Sequence, residues 1–226
     1  GSNGFRPGQE RAIRAVVAGR SAAAIFPTGS GKSLCYQLPA LLLPHLTLVV
    51  SPLLALMQDQ LAFLQRHGIA AGSIDSAQSR EQASETMARA KSGELKILMI
   101  SVERLKNERF RHFISQVPIS LLVVDEAHCI SEWGHNFRPD YLKLPDYQRQ
   151  FNIPQVLLLT ATATPPVIAD MQAKFSIATD DVVTTGFYRP NLNLLVEPVS
   201  GLHKQRRLVE WLSDRAGQPT IVYVTQ

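Results

Sequence analysis

Residues 23–34 read Ala23-Ala24-Ile25-Phe26-Pro27-Thr28-Gly29-Ser30-Gly31-Lys32-Ser33-Leu34, an apolar run followed by a loop of small residues. Gly29 and Gly31 carry no Cβ and adopt positive φ readily, so the backbone N–H groups of such a loop can curl around a phosphate. A helical pattern begins near Lys32 and adds the positive end of its dipole. The stretch therefore predicts a phosphate-binding loop. The alternative is a Gly-Ser turn beside a solvated lysine, because the strict pattern has glycine where Phe26 stands.

The loop supplies a set of candidate nucleotide ligands, which are Thr28, Gly29, Ser30, Gly31, Lys32 and Ser33. In such loops the lysine reaches the β- and γ-phosphates, and the hydroxyl that follows it binds Mg²⁺. Lys32 is accordingly predicted to be catalytic, and Ser33 is predicted to be a metal ligand.

A second stretch, Leu121-Leu122-Val123-Val124-Asp125-Glu126-Ala127-His128, delivers two acids at the carboxyl end of an apolar strand. Ligands of open parallel sheets bind at that edge. We expect Asp125 to hold Mg²⁺ through its water shell and Glu126 to deprotonate the attacking water. His128 is expected to link the nucleotide to a neighbouring loop. The alternative is a helix N-terminus with favourable charges, which the paired phosphate loop makes less attractive.

Composition restricts the class of protein. The 226 residues allow one large domain, or one domain and part of another, with a mild net charge of +4 that suits a polyanionic partner. The two cysteines are too few for a disulfide framework or a four-cysteine zinc site, and we expect them to be reduced thiols. The apolar runs are too short to cross a bilayer and no leader is recognisable, so neither a membrane association nor secretion is expected.

Apolar runs alternate with helical patterns from residue 21 to residue 175, which predicts an α/β fold with a mostly parallel sheet covered by helices on both faces. The alternation falters near residues 186–193, where residues 189–191 are interpreted as a connector. Beyond it we predict a strand at 192–197, a helix at 202–211 and a strand at 221–225. Three elements cannot bury their own apolar faces, so they are expected to begin a second domain.

Several ordered stretches resemble the motifs of superfamily 2 helicases, and in particular of the RecQ family of DNA helicases. They are residues 5–9, 27–33, 51–53, 125–128 and 160–164. The most specific is Cys129-Ile130-Ser131-Glu132-Trp133-Gly134-His135-Asn136-Phe137-Arg138-Pro139-Asp140-Tyr141, which is similar to the aromatic-rich loop that senses single-stranded DNA. The resemblance implies a three-layer αβα RecA-like domain over residues 1–188, and a linker and the start of a second RecA-like domain over 189–226. A phosphate loop without the first glycine is usual in that superfamily.

The resemblance also implies roles for residues outside the two anchor motifs. Arg6 and Gln9 would contact the nucleotide, with Gln9 reading the adenine edge. The implied DNA contacts are Ser51, Arg104, Trp133, Phe137 and Arg138, and Thr160 and Thr162 would couple nucleotide state to DNA grip. A structural alternative stays open for each of these residues. Arg6 and Gln9 could be a polar helix start, Ser51 a capping serine and Arg104 a partner in an ion pair. Trp133 and Phe137 could pack against the sheet, and the threonines at 160–164 could form a Thr-rich helix cap.

This chain departs from the family pattern at three places. Val102 replaces a proline and Asn136 replaces a common aspartate. Ser2 and Asn3 stand where the family has an aromatic residue that stacks on adenine, which leaves base stacking unexplained.

The sequence thus predicts an ATP- and Mg²⁺-dependent DNA helicase, 3′ to 5′ by resemblance, acting on single-stranded and duplex DNA. By itself the chain is expected to bind ATP but to hydrolyse it slowly, because the resemblance places the arginine finger in a second domain. The alternatives are an RNA-directed helicase of the same superfamily and a nucleotide-binding module without productive catalysis. The expected location is the cytoplasm of a bacterium or the nucleus of a eukaryote.

Overall fold

The computed structural model describes residues 4–75, 78–134, 136–186 and 191–224. The helices are α1 (Gln9–Val17), α2 (Leu34–Leu42), α3 (Leu54–Arg66), α4 (Arg80–Lys91), α5 (Glu108–Ile114), α6 (Leu144–Gln150), α7 (Pro165–Phe175) and α8 (Lys204–Ser213). The strands are β1 (Ala22–Ile25), β2 (Leu46–Val50), β3 (Ala71–Ile74), β4 (Ile97–Ile100), β5 (Ile119–Val124), β6 (Val156–Thr160) and β7 (Val182–Thr184). Short 3₁₀ turns cover Val102–Lys106, Ala127–Ile130, Pro139–Lys143, Thr179–Asp181 and Gly201–His203.

The strands form one sheet in the order β3-β4-β2-β5-β6-β1-β7, and each observed strand pair is parallel. Side chains alternate across a strand, so Leu121 and Val123 of β5 pack with α1, α2 and α3 on one face. Leu122 and Val124 pack with α4 to α7 on the other face. The predicted three-layer α/β fold is confirmed. Since β1, β6, β5 and β2 run side by side in the same direction, the residues that follow them meet at one edge.

Several helix ends follow directly from local sequence. Ser79 accepts from the backbone of Gln82 while the Gln82 side chain accepts from Ser79 N, a reciprocal capping box at the start of α4. Asn107 caps α5 by accepting from Phe110 N at 2.9 Å. Pro165 occupies the first turn of α7, where a missing N–H costs nothing.

The sequence pattern predicts one helix over residues 140–151, and the structure differs there. A 3₁₀ turn (Pro139–Lys143) comes first and α6 follows from Leu144. Pro145 lies in the first turn of α6, and its lack of an N–H separates the two segments. The short strand β7 was not anticipated, because its three residues show too little periodicity.

Contacts divide the chain into two compact units, Gly1–Phe187 and Tyr188–Gln226. Within the second unit, residues 192–197 and 221–224 form no strand, so the two strands predicted there are wrong over the described residues. A strand needs a hydrogen-bonded neighbour, which the described residues 191–224 do not supply. The predicted helix is present as α8. The predicted connector lies mostly outside the described residues, as do Ser2, Asn3 and Thr225, and the start of a second RecA-like domain stays a prediction.

Both cysteines are free and buried, as expected for reduced thiols. Burial raises the pKa of Cys35 to about 12 and also raises the pKa of Cys129. Over the described ranges, no helix combines the length and the apolar character that crossing a membrane requires.

Candidate nucleotide-binding site

The predicted phosphate loop joins β1 to α2. Gly29 and Gly31 both have φ of 80°, the left-handed conformation that the sequence anticipated. Lys32 folds back over the loop, and its Nζ donates to the carbonyls of Phe26 at 3.0 Å and Pro27 at 3.4 Å. The loop is therefore closed by its own lysine, with the ammonium group held at the centre of the turn.

Gln9 of α1 fixes the far side of this loop. Its Nε2 donates to the carbonyl of Gly31 at 2.9 Å and to that of Ser30 at 3.2 Å, and its Oε1 accepts from Arg6 N at 2.8 Å. The Arg6 guanidinium donates to the Gly29 carbonyl. Both predicted nucleotide contacts thus hold the phosphate loop in this structure, an arrangement that sequence spacing did not reveal. The contact of Arg6 with the nucleotide and of Gln9 with adenine stay predictions.

The two loop glycines make a matched pair for a stability test. A Cβ on Gly31 would lie 2.7 Å from Gln9 Nε2, whereas a Cβ on Gly29 would meet nothing within 4 Å. Both substitutions force alanine into the left-handed region at a cost of about 1 kcal/mol, so we expect G31A to lower the free energy of unfolding more than G29A does. Urea unfolding of the two variants measures the difference. Equal losses would show that Gln9 does not constrain Gly31.

The buried hydroxyl of Ser30 is a structural feature that bears on whether the loop fits a phosphate. Its Oγ is buried and has no hydrogen-bond partner among the described residues. A buried hydroxyl without a partner is costly, and a phosphate oxygen at this loop would satisfy it. Thr28 and Gly29 lie at the exposed tip of the same loop. The donor set therefore suits an anionic ligand approaching from solvent.

The predicted acids lie at the same edge of the sheet. Ile25 of β1 pairs with Thr160 of β6, and Val50 of β2 pairs with Val124 of β5, so the residues that follow these strands converge. Asp125 Oδ1 accepts from Glu126 N at 3.0 Å, and its Oδ2 accepts from the hydroxyl of Ser51 at 3.2 Å. The buried hydroxyl of Ser51 thus orients this carboxylate, a contact across 74 positions that no motif predicted.

Electrostatics link these acids to the loop lysine. Burial raises the pKa of Asp125, and the neighbouring charge of Glu126 raises it further, while Ser51 and Lys32 partly offset the effect. Burial lowers the pKa of Lys32, and the charges of Glu126 and Asp125 raise it in part. The three groups therefore share one electrostatic environment. A buried carboxylate beside a second acid suits a divalent cation.

A metal site here would use few protein ligands. Across the part of the chain that the structure describes, no group of three or more His, Cys, Asp or Glu side chains is close enough to hold a metal. Mg²⁺ is usually held by one or two protein oxygens together with water and substrate phosphates, and Ser33 and Asp125 stay its predicted ligands.

Glu126 has an unusual backbone. Its φ and ψ are 50° and 44°, the left-handed region that costs a non-glycine residue roughly 1 kcal/mol or more. This conformation ends β5 abruptly, and the 3₁₀ turn Ala127–Ile130 follows at once. The Glu126 carboxylate lies 3.3 Å from His128 Nδ1.

His128 connects the acids to the Thr segment after β6. Its buried Nδ1 lies 2.8 Å from the hydroxyl of Thr160, the contact that the sequence anticipated. Thr160 Oγ1 donates to the Thr162 carbonyl at 3.1 Å and accepts from Thr162 N at 3.2 Å. A continuous polar chain therefore runs from Glu126 to Thr162, and a coupling role stays a prediction.

The aromatic-rich loop lines a cleft of about 590 Å³ beside these residues. The cleft is lined by Pro52, Leu53, Glu126, His128, Cys129, Asn136, Phe137, Arg138 and Thr162. Trp133 is 77% exposed and so does not pack as part of the core, whereas Phe137 is half-buried. Arg138 pairs with Glu103 at 3.8 Å, and Lys106 pairs with Asp140 at 2.9 Å. Two ion pairs thus tie the loop to the 3₁₀ turn at Val102–Lys106.

Two predicted DNA contacts have structural partners instead of open surface. Ser51 Oγ donates to Asp125 Oδ2 and also accepts from Leu53 N at 3.4 Å, directly before α3, while Leu53 itself makes no side-chain cap. The Arg104 guanidinium lies 5.7 Å from the ring of Phe110, and its buried Nε has no partner among the described residues. Contact of either residue with DNA stays a prediction.

Comparisons with known proteins agree with this geometry. The family description DEAD/DEAH box helicase matches residues 6–171. The chain is 42% identical over 221 residues to "ATP-dependent DNA helicase RecQ" of Bacillus subtilis, covering 97% of this chain and 37% of that protein. It is also 42% identical to "ATP-dependent DNA helicase Q-like 5" of Arabidopsis thaliana, covering 92% of this chain and 23% of that protein. The chain thus spans 37% of the length of the first relative and 23% of the length of the second.

Solved structures support the fold. The helicase domain of Pyrococcus furiosus Hef superposes with a TM-score of 0.58 at 24% identity, covering 75% of this chain and 35% of that one. A hypothetical ATP-dependent RNA helicase from Sulfolobus tokodaii gives a TM-score of 0.60 at 22% identity, covering 77% of this chain and 51% of that one. The sequence resemblance to RecQ-like helicases is confirmed by the relatives, and the chain belongs to the DEAD/DEAH box helicase family.

Proposed function

We propose that this chain is the nucleotide-binding part of a RecQ-like, ATP-dependent DNA helicase. The observation that carries the proposal is the convergence of Lys32, Asp125 and Glu126 at one sheet edge, where the two acids raise the pKa of Lys32 in part and Lys32 lowers that of Asp125 in part. The relatives named above are DNA helicases that depend on ATP, and this site is equipped to bind and cleave a triphosphate.

In this proposal the phosphate loop and the two acids have different roles. The loop amides and Lys32 bind the β- and γ-phosphates, while Ser33 and Asp125 hold Mg²⁺, which neutralises developing phosphate charge when it is bound. Glu126 orients a water and accepts its proton as the γ-phosphate departs. The left-handed backbone of Glu126 falls directly after the end of β5, at the carboxyl edge of the sheet.

The chain of contacts from Glu126 through His128 and Thr160 to Thr162 is proposed to carry nucleotide state to the DNA-binding surface. Thr162 and Glu126 both line the cleft that also contains Phe137 and Arg138. A change at the γ-phosphate would therefore be felt next to the aromatic-rich loop. Trp133 and Phe137 are proposed to stack on bases, which suits a motor that must pass every base.

The remaining parts of the proposal rest on the resemblance. Residues 1–188 would form the first RecA-like domain and 189–226 the linker and start of the second. Translocation would run 3′ to 5′ on single-stranded DNA and displace the other strand of a duplex. Such an activity is useful where chromosomal DNA lies, in a bacterial cytoplasm or a eukaryotic nucleus.

The two tryptophans allow a direct test of the DNA surface. Trp211 of α8 is covered by the Arg215 guanidinium at 3.3 Å, while Trp133 is exposed. In W211F the emission comes from Trp133 alone, and we expect oligothymidylate to quench it at low salt because a stacked base quenches indole. The matched variant W133F should show no quenching and weaker binding.

The outcomes separate the candidate functions. Quenching by single-stranded DNA that exceeds quenching by the same length of RNA supports the DNA helicase. A preference for RNA would favour an RNA-directed enzyme, and unchanged emission of Trp133 with DNA bound would exclude this loop from the DNA surface.

A further inference from the structure

A pocket of about 520 Å³ lies beside the phosphate loop, between the loop and two helices. Gly31 and Ser33 of the loop line it together with Arg6 and Gln9. The helix residues that line it are Leu34 and Gln37 of α2 and Asp59, Gln60 and Phe63 of α3. The pocket adjoins the loop, so it is within reach of the nucleoside end of a nucleotide whose phosphates are bound there. None of the sequence motifs assigns a role to the α3 residues.

Phe63 carries the only aromatic ring among the described residues that line this pocket. The side chain is 43% exposed. Its ring packs on that of His67, with centroids 4.2 Å apart and an angle of 35° between the planes, and His67 Nδ1 lies 2.8 Å from the Phe63 carbonyl. The ring is therefore fixed by its neighbour on α3 while part of its surface remains available to the pocket.

The hydrogen bonds of Gln9 limit what it can offer a base. Both protons of its Nε2 are directed to the carbonyls of Ser30 and Gly31, and one lone pair of its Oε1 is taken by Arg6 N. A glutamine has two amide protons and two lone pairs, so a single acceptor position remains. One hydrogen bond contributes little net affinity in water, and the faces of the base must supply the rest.

We propose that Phe63 is the base-packing residue of this nucleotide site, with its ring covering one face of the purine. The assignment rests on the proposed function, because it requires a nucleotide at the loop. Since every base offers a π-face, Phe63 contributes to ATP and GTP alike, and selectivity is left to Gln9.

The test compares nucleotides with a probe that has no base. We expect F63A to weaken binding of Mg-ATP and Mg-GTP by about tenfold each in titration calorimetry, because a base–aromatic stack is lost. Binding of magnesium tripolyphosphate should not change. F63Y should retain the affinity, since it keeps the ring. The matched control is L56A, which removes an apolar side chain of similar exposure, 46%, from the same helix.

Each outcome bears on the proposal differently. A folded F63A variant that binds Mg-ATP normally would overturn it. An equal loss of tripolyphosphate binding in F63A would also overturn it, because the substitution would then act through the loop. A wild-type chain that binds neither Mg-ATP nor tripolyphosphate would refute the proposed function itself, and that result is seen before any variant is made.

Discussion

Replacing Glu126 by glutamine is expected to lower the single-turnover rate of ATP hydrolysis by about 10²- to 10⁴-fold, the range that a general base contributes. The amide cannot accept the proton of the attacking water. The amide still fits beside His128 Nδ1, which lies 3.3 Å from the carboxylate in the present structure. The size and backbone of the residue are also preserved. Mg-ATP affinity should therefore stay close to that of the wild type, and quenched-flow or radiolabel assays with enzyme in excess measure the rate.

The matched control for this substitution is E132Q, the same chemical change at an exposed glutamate six positions later. Its hydrolysis rate without DNA should equal that of the wild type. If E126Q hydrolyses ATP as fast as E132Q does, Glu126 is not the base. If E126Q instead loses Mg-ATP affinity, the residue acts in binding and the assignment of proton transfer fails.

Lys32→Ala is expected to weaken Mg-ATP binding by about 100-fold or more, because a charge-assisted contact to the phosphates is removed from a partly buried site. Stability without nucleotide should be nearly unchanged. Burial lowers the pKa of Lys32, which means that the charged amine is held at a desolvation cost that its loss relieves. Thermal unfolding with and without Mg-ATP measures both quantities, since a ligand stabilises the native state by an amount that grows with the logarithm of its affinity.

A second lysine provides the control for this measurement. Lys96 Nζ also donates to a backbone carbonyl, that of Leu43 at 3.4 Å, but it lies at the opposite edge of the sheet, beside the start of β4. K96A should retain the full stabilisation by Mg-ATP. Retention of that stabilisation in K32A would remove Lys32 from phosphate binding and with it the central element of the proposed function.

Much of the fold follows from local sequence. The apolar run at residues 119–124 predicts the strand β5, which the structure has at Ile119–Val124. The proline at position 165 predicts the start of the helix α7, which the structure has at Pro165–Phe175. The meeting of the phosphate loop with Asp125 could also be predicted, because parallel strands bring their carboxyl ends to one edge. These predictions use the direction of the strands and the spacing of apolar residues, and both can be inferred from short stretches of sequence.

Side-chain partnerships were not predictable in the same way. The hydrogen bond from Ser51 to Asp125, and those from Gln9 to the loop carbonyls, depend on which groups are adjacent after folding. No periodicity contains that information. The second unit illustrates the same limit for strands, since Leu194 and Val196 satisfy the apolar pattern yet remain exposed without a neighbouring strand. The roles of the site residues accordingly stay predictions until the variants are measured.

The left-handed backbone at Glu126 has an implication for protein engineering. Glycine would occupy that position without strain, so a library screened only for resistance to heat should enrich glycine at residue 126. The most heat-resistant variants from such a screen would lack the carboxylate of residue 126. Sequencing the survivors of a heat challenge would thus reveal, without any enzymatic assay, the position at which durability and turnover are in conflict.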